Sequence, residues 1–154
     1  MGRVAPRVRD AQPDDLAGAL ASYARNGYGG GIAPDDTVVV AERDGHVVGA
    51  VRLAPEQGLL ILRGMFLDEP ERGRGLGRRM LAHLLPHIRG REAWLITFPR
   101  LVRFYGEGGF RSVTPAEEPA FLRERAARYE TEHGPQVILR RPATGDGATE
   151  SDDA

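Results

Sequence analysis

The sequence predicts one α/β domain, and three observations carry that prediction. Its 154 residues suffice for a single hydrophobic core and fall short of two ordinary domains. Short β-rich runs bounded by Gly, Pro and Asp alternate with stretches whose apolar residues recur at helical spacing. The longest apolar run, 59–67, leads through a glycine-rich turn into an amphipathic stretch, the order of a buried strand followed by a helix.

Residues 7–10 predict a short strand. Gln12-Pro13-Asp14-Asp15 then supplies turn and first-turn acid signals for a helix with Leu16, Ala19, Leu20 and Tyr23 on its apolar side. Asn26-Gly27-Tyr28-Gly29-Gly30-Gly31 reads as a flexible loop, because glycine has the most backbone freedom to lose. Runs 37–42 and 46–53 flank Arg43-Asp44-Gly45, and Asp-Gly between two such runs is a hairpin signal. Residues 54–58 form a second turn, and 59–67 a central strand expected to be buried on both faces. Gly64 inside it marks a bulge or a close approach by another backbone or a ligand.

After Arg72-Gly73-Arg74-Gly75-Leu76-Gly77 comes a helix with Met80, Leu81, Leu84, Leu85 and Ile88 on its apolar side, which Pro86 should kink or shorten. Residues 92–98 predict a strand, 101–105 a short helix and 110–113 a strand. Pro119 suits the first turn of a helix bearing Leu122, Ala126 and Tyr129, which His133-Gly134-Pro135 stops. Residues 136–140 predict the last strand. The domain is assigned to residues 1–141, and 142–154 to an acidic, disordered tail with no apolar residue larger than alanine.

Composition narrows the chemistry. No apolar run approaches the ~18 residues of a membrane helix, so no membrane partner is expected. Cysteine is absent, which excludes disulfides, thiolate-bound metals and a cysteine nucleophile. Residues 1–10 carry no apolar signal core, and a cytoplasmic location is expected. All 21 basic residues are arginine; set against the 18 acids outside the tail they give the body a charge of +3, far from a nucleic-acid-binding balance.

The glycine-rich turn is the densest signal. Glycine at 73, 75 and 77 lets main-chain N–H groups approach a ligand, and a helix start favours anionic oxygens. Arg72, Arg74, Arg78 and Arg79 add positive charge. A P-loop is excluded because it needs a lysine, and the dinucleotide fingerprint fails because Arg78 stands where its third glycine should fall. Read as R-x-x-G-x-G, residues 72–77 resemble the acyl-CoA pyrophosphate loop of the GNAT superfamily of N-acyltransferases. Some thirty residues later, Phe104-Tyr105-Gly106-Glu107-Gly108-Gly109-Phe110 resembles that family's F-Y-x-x-x-G-F segment.

The resemblance, which spans about residues 8–140, implies a mixed, strongly twisted central sheet flanked by helices. In it, strands 59–67 and 92–98 splay into a V-shaped opening for pantetheine. It implies that the backbone of Met65, Phe66 and Leu67 pairs with the pantetheine amides, and that Arg72, Gly73, Arg74, Gly75, Leu76, Gly77 and Arg78 hold the pyrophosphate of acetyl-CoA, the co-substrate. Tyr105 matches the tyrosine that protonates the departing thiolate after an acceptor amine attacks the thioester directly. The family's glutamate on the central strand is missing, since only Arg63 is charged there, and the asparagine before the tyrosine is replaced by residues 97–100. The general base is unassigned; Glu42, Glu56 and Asp36 are candidates, each read first as a solvated surface carboxylate.

The activity this implies is acetyl transfer from acetyl-CoA to a primary amine, a small metabolite or drug-like amine before a protein amine. A non-catalytic acyl-CoA-binding regulatory module is the alternative. No metal is assigned: His83 and His87 share a helix face, but Pro86 lies between them and no third ligand is suggested nearby, so they read as surface histidines. Tyr23, Tyr28 and Tyr129 are candidates for an acceptor pocket or for ordinary packing. The oligomeric state stays open, a homodimer included.

Overall fold

The computed structural model describes residues 4–144. Among them the strands are β1 (Arg7–Asp10), β2 (Thr37–Arg43), β3 (His46–Glu56), β4 (Leu59–Leu67), β5 (Ala93–Thr97), β6 (Arg111–Ser112) and β7 (Val137–Arg141). The helices are α1 (Leu16–Arg25), α2 (Leu76–Leu84), α3 (Val102–Gly106) and α4 (Ala120–His133). One sheet runs in the order β1-β2-β3-β4-β5-β7-β6 and is mixed, with β4 parallel to β5 and β1, β2 and β3 antiparallel in turn. The chain therefore has the α/β fold expected of it. It divides into two compact units that share β4: one of residues up to Pro55 with Leu62–His87, the other of Glu56–Ile61 with residues from Ile88 on.

In the first unit, the Asp-Gly signal gives the hairpin foreseen. Arg43 pairs with His46 across a two-residue turn in which Asp44 (φ 52°) and Gly45 (φ 82°) are both left-handed, as a type I′ turn requires. Ala19 and Tyr23 of α1 pack with Val38, Val40 and Ala50, and Tyr28, Ile32 and Phe66 close over them. Leu20, expected on the apolar side, is exposed: the inward stripe is narrower than a sequence count of apolar residues suggests. Helix α2 buries Leu76, Met80, Leu81 and Leu84 and ends before Pro86, where a 3-10 turn (Leu85–Ile88) takes over. The proline lacks the N–H that would continue the α-helical ladder.

In the second unit, β4 begins after a turn shorter than expected. Strand β3 continues to Glu56, and only Gln57 (φ 50°) and Gly58 (φ 80°) connect it to β4. Ile61, Trp94, Leu122 and Ile138 form the core here, which α4 covers with Leu122 and Phe121. Strand β7 pairs with β5 along five residues and with β6 along two. Helix α4 stops at Gly134 (φ 91°), ahead of Pro135.

One expectation needs correction. Strand β4 is buried only at Leu60, Ile61 and Leu62; from Arg63 to Leu67 it is half-buried, so it is not covered along both faces. Most of the expected tail, residues 145–154, lies outside the described residues; within the remainder, Thr144 donates its N–H to the carbonyl of Gly90 at 3.0 Å.

Candidate active site

The glycine-rich loop is built as an anion cradle. Strand β4 ends at Leu67, a 3-10 turn (Glu69–Glu71) follows, and the chain passes through Gly73 (φ 77°) and Gly75 (φ 83°) into α2. Both φ values belong to the left-handed region, which a side chain makes costly, and a Cβ placed on either glycine would meet nothing within 4 Å. The space over the loop is therefore open. Gly75 is the N-cap of α2 and offers no side-chain acceptor to the helix. The first helical bond closes at Arg79, whose N–H reaches the Gly75 carbonyl at 3.2 Å, so the N–H groups of Leu76 and Gly77 have no acceptor within the helix. They lie at the positive end of its dipole.

The loop's approach is anchored by side chains from distant parts of the chain. Glu71 is buried and takes two bonds from Arg43, Nε to Oε2 at 2.9 Å and Nη2 to Oε1 at 2.8 Å. Arg43 also donates to the carbonyl of Val4. Asp68 accepts from the Ser22 hydroxyl at 2.8 Å and from Arg25 Nη2 at 2.8 Å. Nothing local in the sequence points to Arg43, which lies 28 residues before Glu71.

The arginines divide by task. Arg72 folds back, donating through Nε to the Leu67 carbonyl at 3.1 Å and through Nη2 to Asn26, so its side chain fixes the loop rather than standing free for a phosphate. Arg74 and Arg78 are exposed on the loop and on the first turn of α2, Leu76 is buried beneath, and Gly77 lies in that first turn. Met65, Phe66 and Leu67 form the half-buried end of β4. Parallel pairing of β4 with β5 is confined to Leu60 with Ala93 and Ile61 with Trp94, while β5 stays paired with β7 as far as Thr97.

Tyr105 belongs to the second unit. It sits in α3, 5% exposed, with its ring edge-on to Phe104 at 4.9 Å and to Phe110 at 6.3 Å. Burial raises its pKa well above the usual phenol value, so the hydroxyl keeps its proton. The segment from Phe104 to Phe110 closes through Phe110 N–H to the Tyr105 carbonyl at 3.3 Å, with Gly109 at φ 91°.

Of the three carboxylates considered as bases, none is free in solvent. Glu42 is held by Arg9 at 2.9 Å, and bonding from Arg9, more than any other influence, lowers its pKa, which makes it a poor base. Glu56 pairs with Arg125 at 2.5 Å. Asp36 is the clearest correction: its side chain is 3% exposed, it faces Arg52 Nε at 3.4 Å, and its Oδ1 is buried without a hydrogen-bond partner. Buried polar atoms nearly always have partners, so such an orphan marks a place where water or a ligand belongs.

That orphan has company. Arg52, itself buried, donates to the Tyr28 hydroxyl at 2.7 Å and to the carbonyl of Gly31 at 2.9 Å, which ties the glycine-rich loop down, and its Nη1 is unpartnered. Tyr23 packs edge-on to Tyr28 at 4.7 Å, Tyr28 lies against Phe66 at 4.9 Å, and the buried Tyr23 hydroxyl also lacks a partner. Gly64 (φ 65°) lets β4 pass beneath: a Cβ there would lie 2.5 Å from the Tyr23 oxygen. What comes close to Gly64 is therefore tyrosine side chains rather than another backbone or a ligand. Tyr129, the third tyrosine considered, lies in α4 of the second unit.

His83 and His87 do have a third ligating neighbour. Asp10, at the end of β1, lies within hydrogen-bond distance of both rings, which the sequence reading missed because seventy residues separate them.

A strand, a left-handed glycine loop and the helix start it leads into, set in this strand order, define an acyltransferase-type α/β protein. The sequence model of the acetyltransferase (GNAT) domain matches residues 34–112, just over half of the chain. The chain belongs to the GNAT family and is an enzyme of its N-acetyltransferase class. Among solved structures, it is similar to the ribosomal-protein-S18-alanine N-acetyltransferase of Escherichia coli (17% identity, TM-score 0.67, 91% of this chain and 95% of that one). It is similar as well to a GNAT acetyltransferase of Staphylococcus aureus Mu50 (15%, 0.61, 91% and 100%). A third, N-acetylglutamate synthase of Neisseria gonorrhoeae solved with coenzyme A and N-acetyl-glutamate, shares 18% identity at a TM-score of 0.62; the match takes in 93% of this chain and 36% of that one. At these identities the likeness is one of fold. Comparison with curated protein sequences gives no match. Among the described residues, no helix is long and apolar enough to cross a membrane.

Proposed function

We propose that the protein transfers an acetyl group from acetyl-CoA to a primary amine by direct attack, with Tyr105 as the acid that protonates the leaving thiolate. The observation that carries the reading is the loop of Gly73 and Gly75, whose left-handed backbone and open upper side lead into the start of α2, the positive end of its dipole. It suits a pyrophosphate, with Arg74 and Arg78 as the charges beside it and Arg72 as the residue that holds the loop in shape. Pantetheine then runs along the backbone of Met65, Phe66 and Leu67. The coenzyme A found in the Neisseria synthase agrees with this donor.

In the reaction the amine nitrogen attacks the thioester carbonyl, the C–S bond breaks, the thiolate takes the Tyr105 proton, and the amine loses a proton to solvent, which returns one to the Tyr105 oxygen. No acyl-enzyme forms, in keeping with a chain that has no cysteine. The acceptor side is read as the first unit's buried network, because Tyr23, Asp36 and Arg52 each hold an unpartnered polar atom there. Phe66 connects the two sides: its backbone belongs to the pantetheine segment and its ring packs on Tyr23 and Tyr28. A carboxylate and a guanidinium together favour a small, polar amine over an apolar one. Residues 1–141 are taken as the catalytic domain, with 142–154 as a dispensable tail.

Incubation with acetyl-CoA and a panel of amines, with free thiol followed by a colorimetric reagent, tests the reading. Thiol release that depends on a small amine supports it. Release only with a peptide or protein substrate moves the acceptor to a protein amine, and tight acetyl-CoA binding with no release under any amine makes the chain a binding module.

A further inference from the structure

One cluster of ligating side chains plays no part in acyl transfer. Asp10 closes β1, His83 lies in the last turn of α2, and His87 lies in the 3-10 turn that Pro86 creates. One ligand atom from each falls within 4.8 Å of the other two, and both imidazole Nε2 atoms converge on the same Asp10 Oδ1, at 2.9 Å from His83 and 2.8 Å from His87. We propose that Asp10, His83 and His87 form a binding site for a divalent transition-metal ion of the zinc class.

The donor set selects the ion. Two imidazoles and a carboxylate suit zinc, copper or nickel, whereas calcium and magnesium call for a shell of oxygens. The spacing is close to what the ion needs: with metal–ligand distances of about 2.0–2.1 Å, tetrahedral donors sit roughly 3.4 Å apart. The two His–Asp10 separations must open by only about half an ångström, a small rotation of partly exposed side chains. On binding, each neutral imidazole carries its proton on Nδ1 and presents the Nε2 lone pair, so the rings stay uncharged and the carboxylate supplies the charge.

The backbone holds the three in place. Histidines four apart lie on one face of a helix, and the break at Pro86 falls after the helical turn that carries His83. On the other side, Asp10 is in register with Val39 of β2, and the next N–H, from Ala11, bonds to the Val38 carbonyl at 2.9 Å. The side chains are 55% (Asp10), 39% (His83) and 27% (His87) exposed, so an ion enters from solvent and keeps water in its remaining position. Bound there, it clips the short strand β1, first in the sheet order, to α2, and so stabilises the fold by mass action.

The test uses the full chain without a polyhistidine tag, treated with a chelator and then titrated with zinc or cobalt(II) chloride. Calorimetry should show one ion per chain, cobalt should develop the visible bands of a low-coordinate site, and saturating zinc should raise Tm by several degrees. His83→Gln, which can still bond to Asp10 but ligates poorly, should retain the metal-free Tm and lose at least tenfold in zinc affinity. The double variant His83→Ala/His87→Ala should lose the one-to-one binding. No binding by the wild-type chain at millimolar zinc overturns the proposal, as does equal binding or an equal Tm rise in the double variant, which would put the ion elsewhere.

Discussion

Two glycines with nearly the same backbone conformation give a controlled test of the phosphate loop. Gly75 has φ 83° and Gly45, in the β2–β3 hairpin, has φ 82°; a Cβ on either would meet nothing within 4 Å. Alanine at either site therefore pays only for a left-handed conformation, about 1–2 kcal/mol. In a chain of this length that lowers Tm by roughly 2–8 °C, at about 2–4 °C per kcal/mol. The ligand separates the two. If phosphate oxygens approach the amides behind Gly75, the methyl of Gly75→Ala intrudes on that approach and disrupts at least one charge-assisted hydrogen bond, worth about 1.5–3 kcal/mol. At 1.4 kcal/mol per tenfold, CoA affinity should fall about 10- to 150-fold. Gly45→Ala should lose the same Tm and keep its affinity. Calorimetric titration with CoA and thermal denaturation on both variants supply the two readouts. Matching Tm losses with unchanged CoA affinity in both would show that nothing binds over the loop, and the functional reading would lose its main support.

Other outcomes follow from the same geometry. Tyr105→Phe should reduce kcat by about 10²- to 10⁴-fold with little change in acetyl-CoA affinity. Since burial raises the Tyr105 pKa, the alkaline limb of the wild-type kcat profile should lie above pH ~10, the ordinary tyrosine value, and a tyrosine-dependent limb below pH 9 would contradict the assignment. Gly64→Ala combines a left-handed penalty of about 1–2 kcal/mol with overlap on the Tyr23 hydroxyl, 2.5 Å from the new Cβ. Adding roughly 1–3 kcal/mol for overpacking, thermal denaturation should register a loss greater than that of Gly45→Ala. Deleting residues 142–154 removes the Thr144–Gly90 hydrogen bond, worth about 1 kcal/mol, so Tm should drop by no more than about 4 °C and CoA affinity should hold.

Features fixed by a few neighbouring residues were readable in the sequence. Asp44-Gly45 specified its hairpin because a type I′ turn demands two left-handed residues, and Pro86 ended α2 because it cannot donate a backbone hydrogen bond. The depth of β4 was not readable in the same way. A continuous apolar run says that a strand is buried somewhere along its length, yet only Leu60, Ile61 and Leu62 are buried, and the half-exposed end holds the segment read as contacting pantetheine. Leu20 shows the same limit on a helix: periodicity gives the side of α1, while the neighbours decide how wide a stripe they cover. Asp36 was misjudged because a charged residue in a loop is ordinarily solvated, and only the folded chain brings Arg52 to it.

The two halves of the proposed site differ in legibility for a chemical reason. Pyrophosphate is gripped chiefly by backbone N–H groups, and a loop lets it approach them most closely where side chains are absent and φ is positive. Recognition of that kind writes itself into consecutive positions as glycines, here 73 and 75. An acceptor is gripped by side chains, and those of Tyr23, Asp36 and Arg52 come from α1, the loop before β2 and the middle of β3. Their convergence depends on how β2 and β3 align and on how α1 packs against them. A shift of one residue in that register would turn Arg52 to the opposite face of the sheet and leave every local pattern in the sequence unchanged. The same reasoning applies to Asp10 and the two histidines, whose meeting is set by the register of β1 on β2 and the packing of α2. Sites made of backbone are therefore visible as motifs, whereas sites made of side chains across register become visible only once the strands are paired.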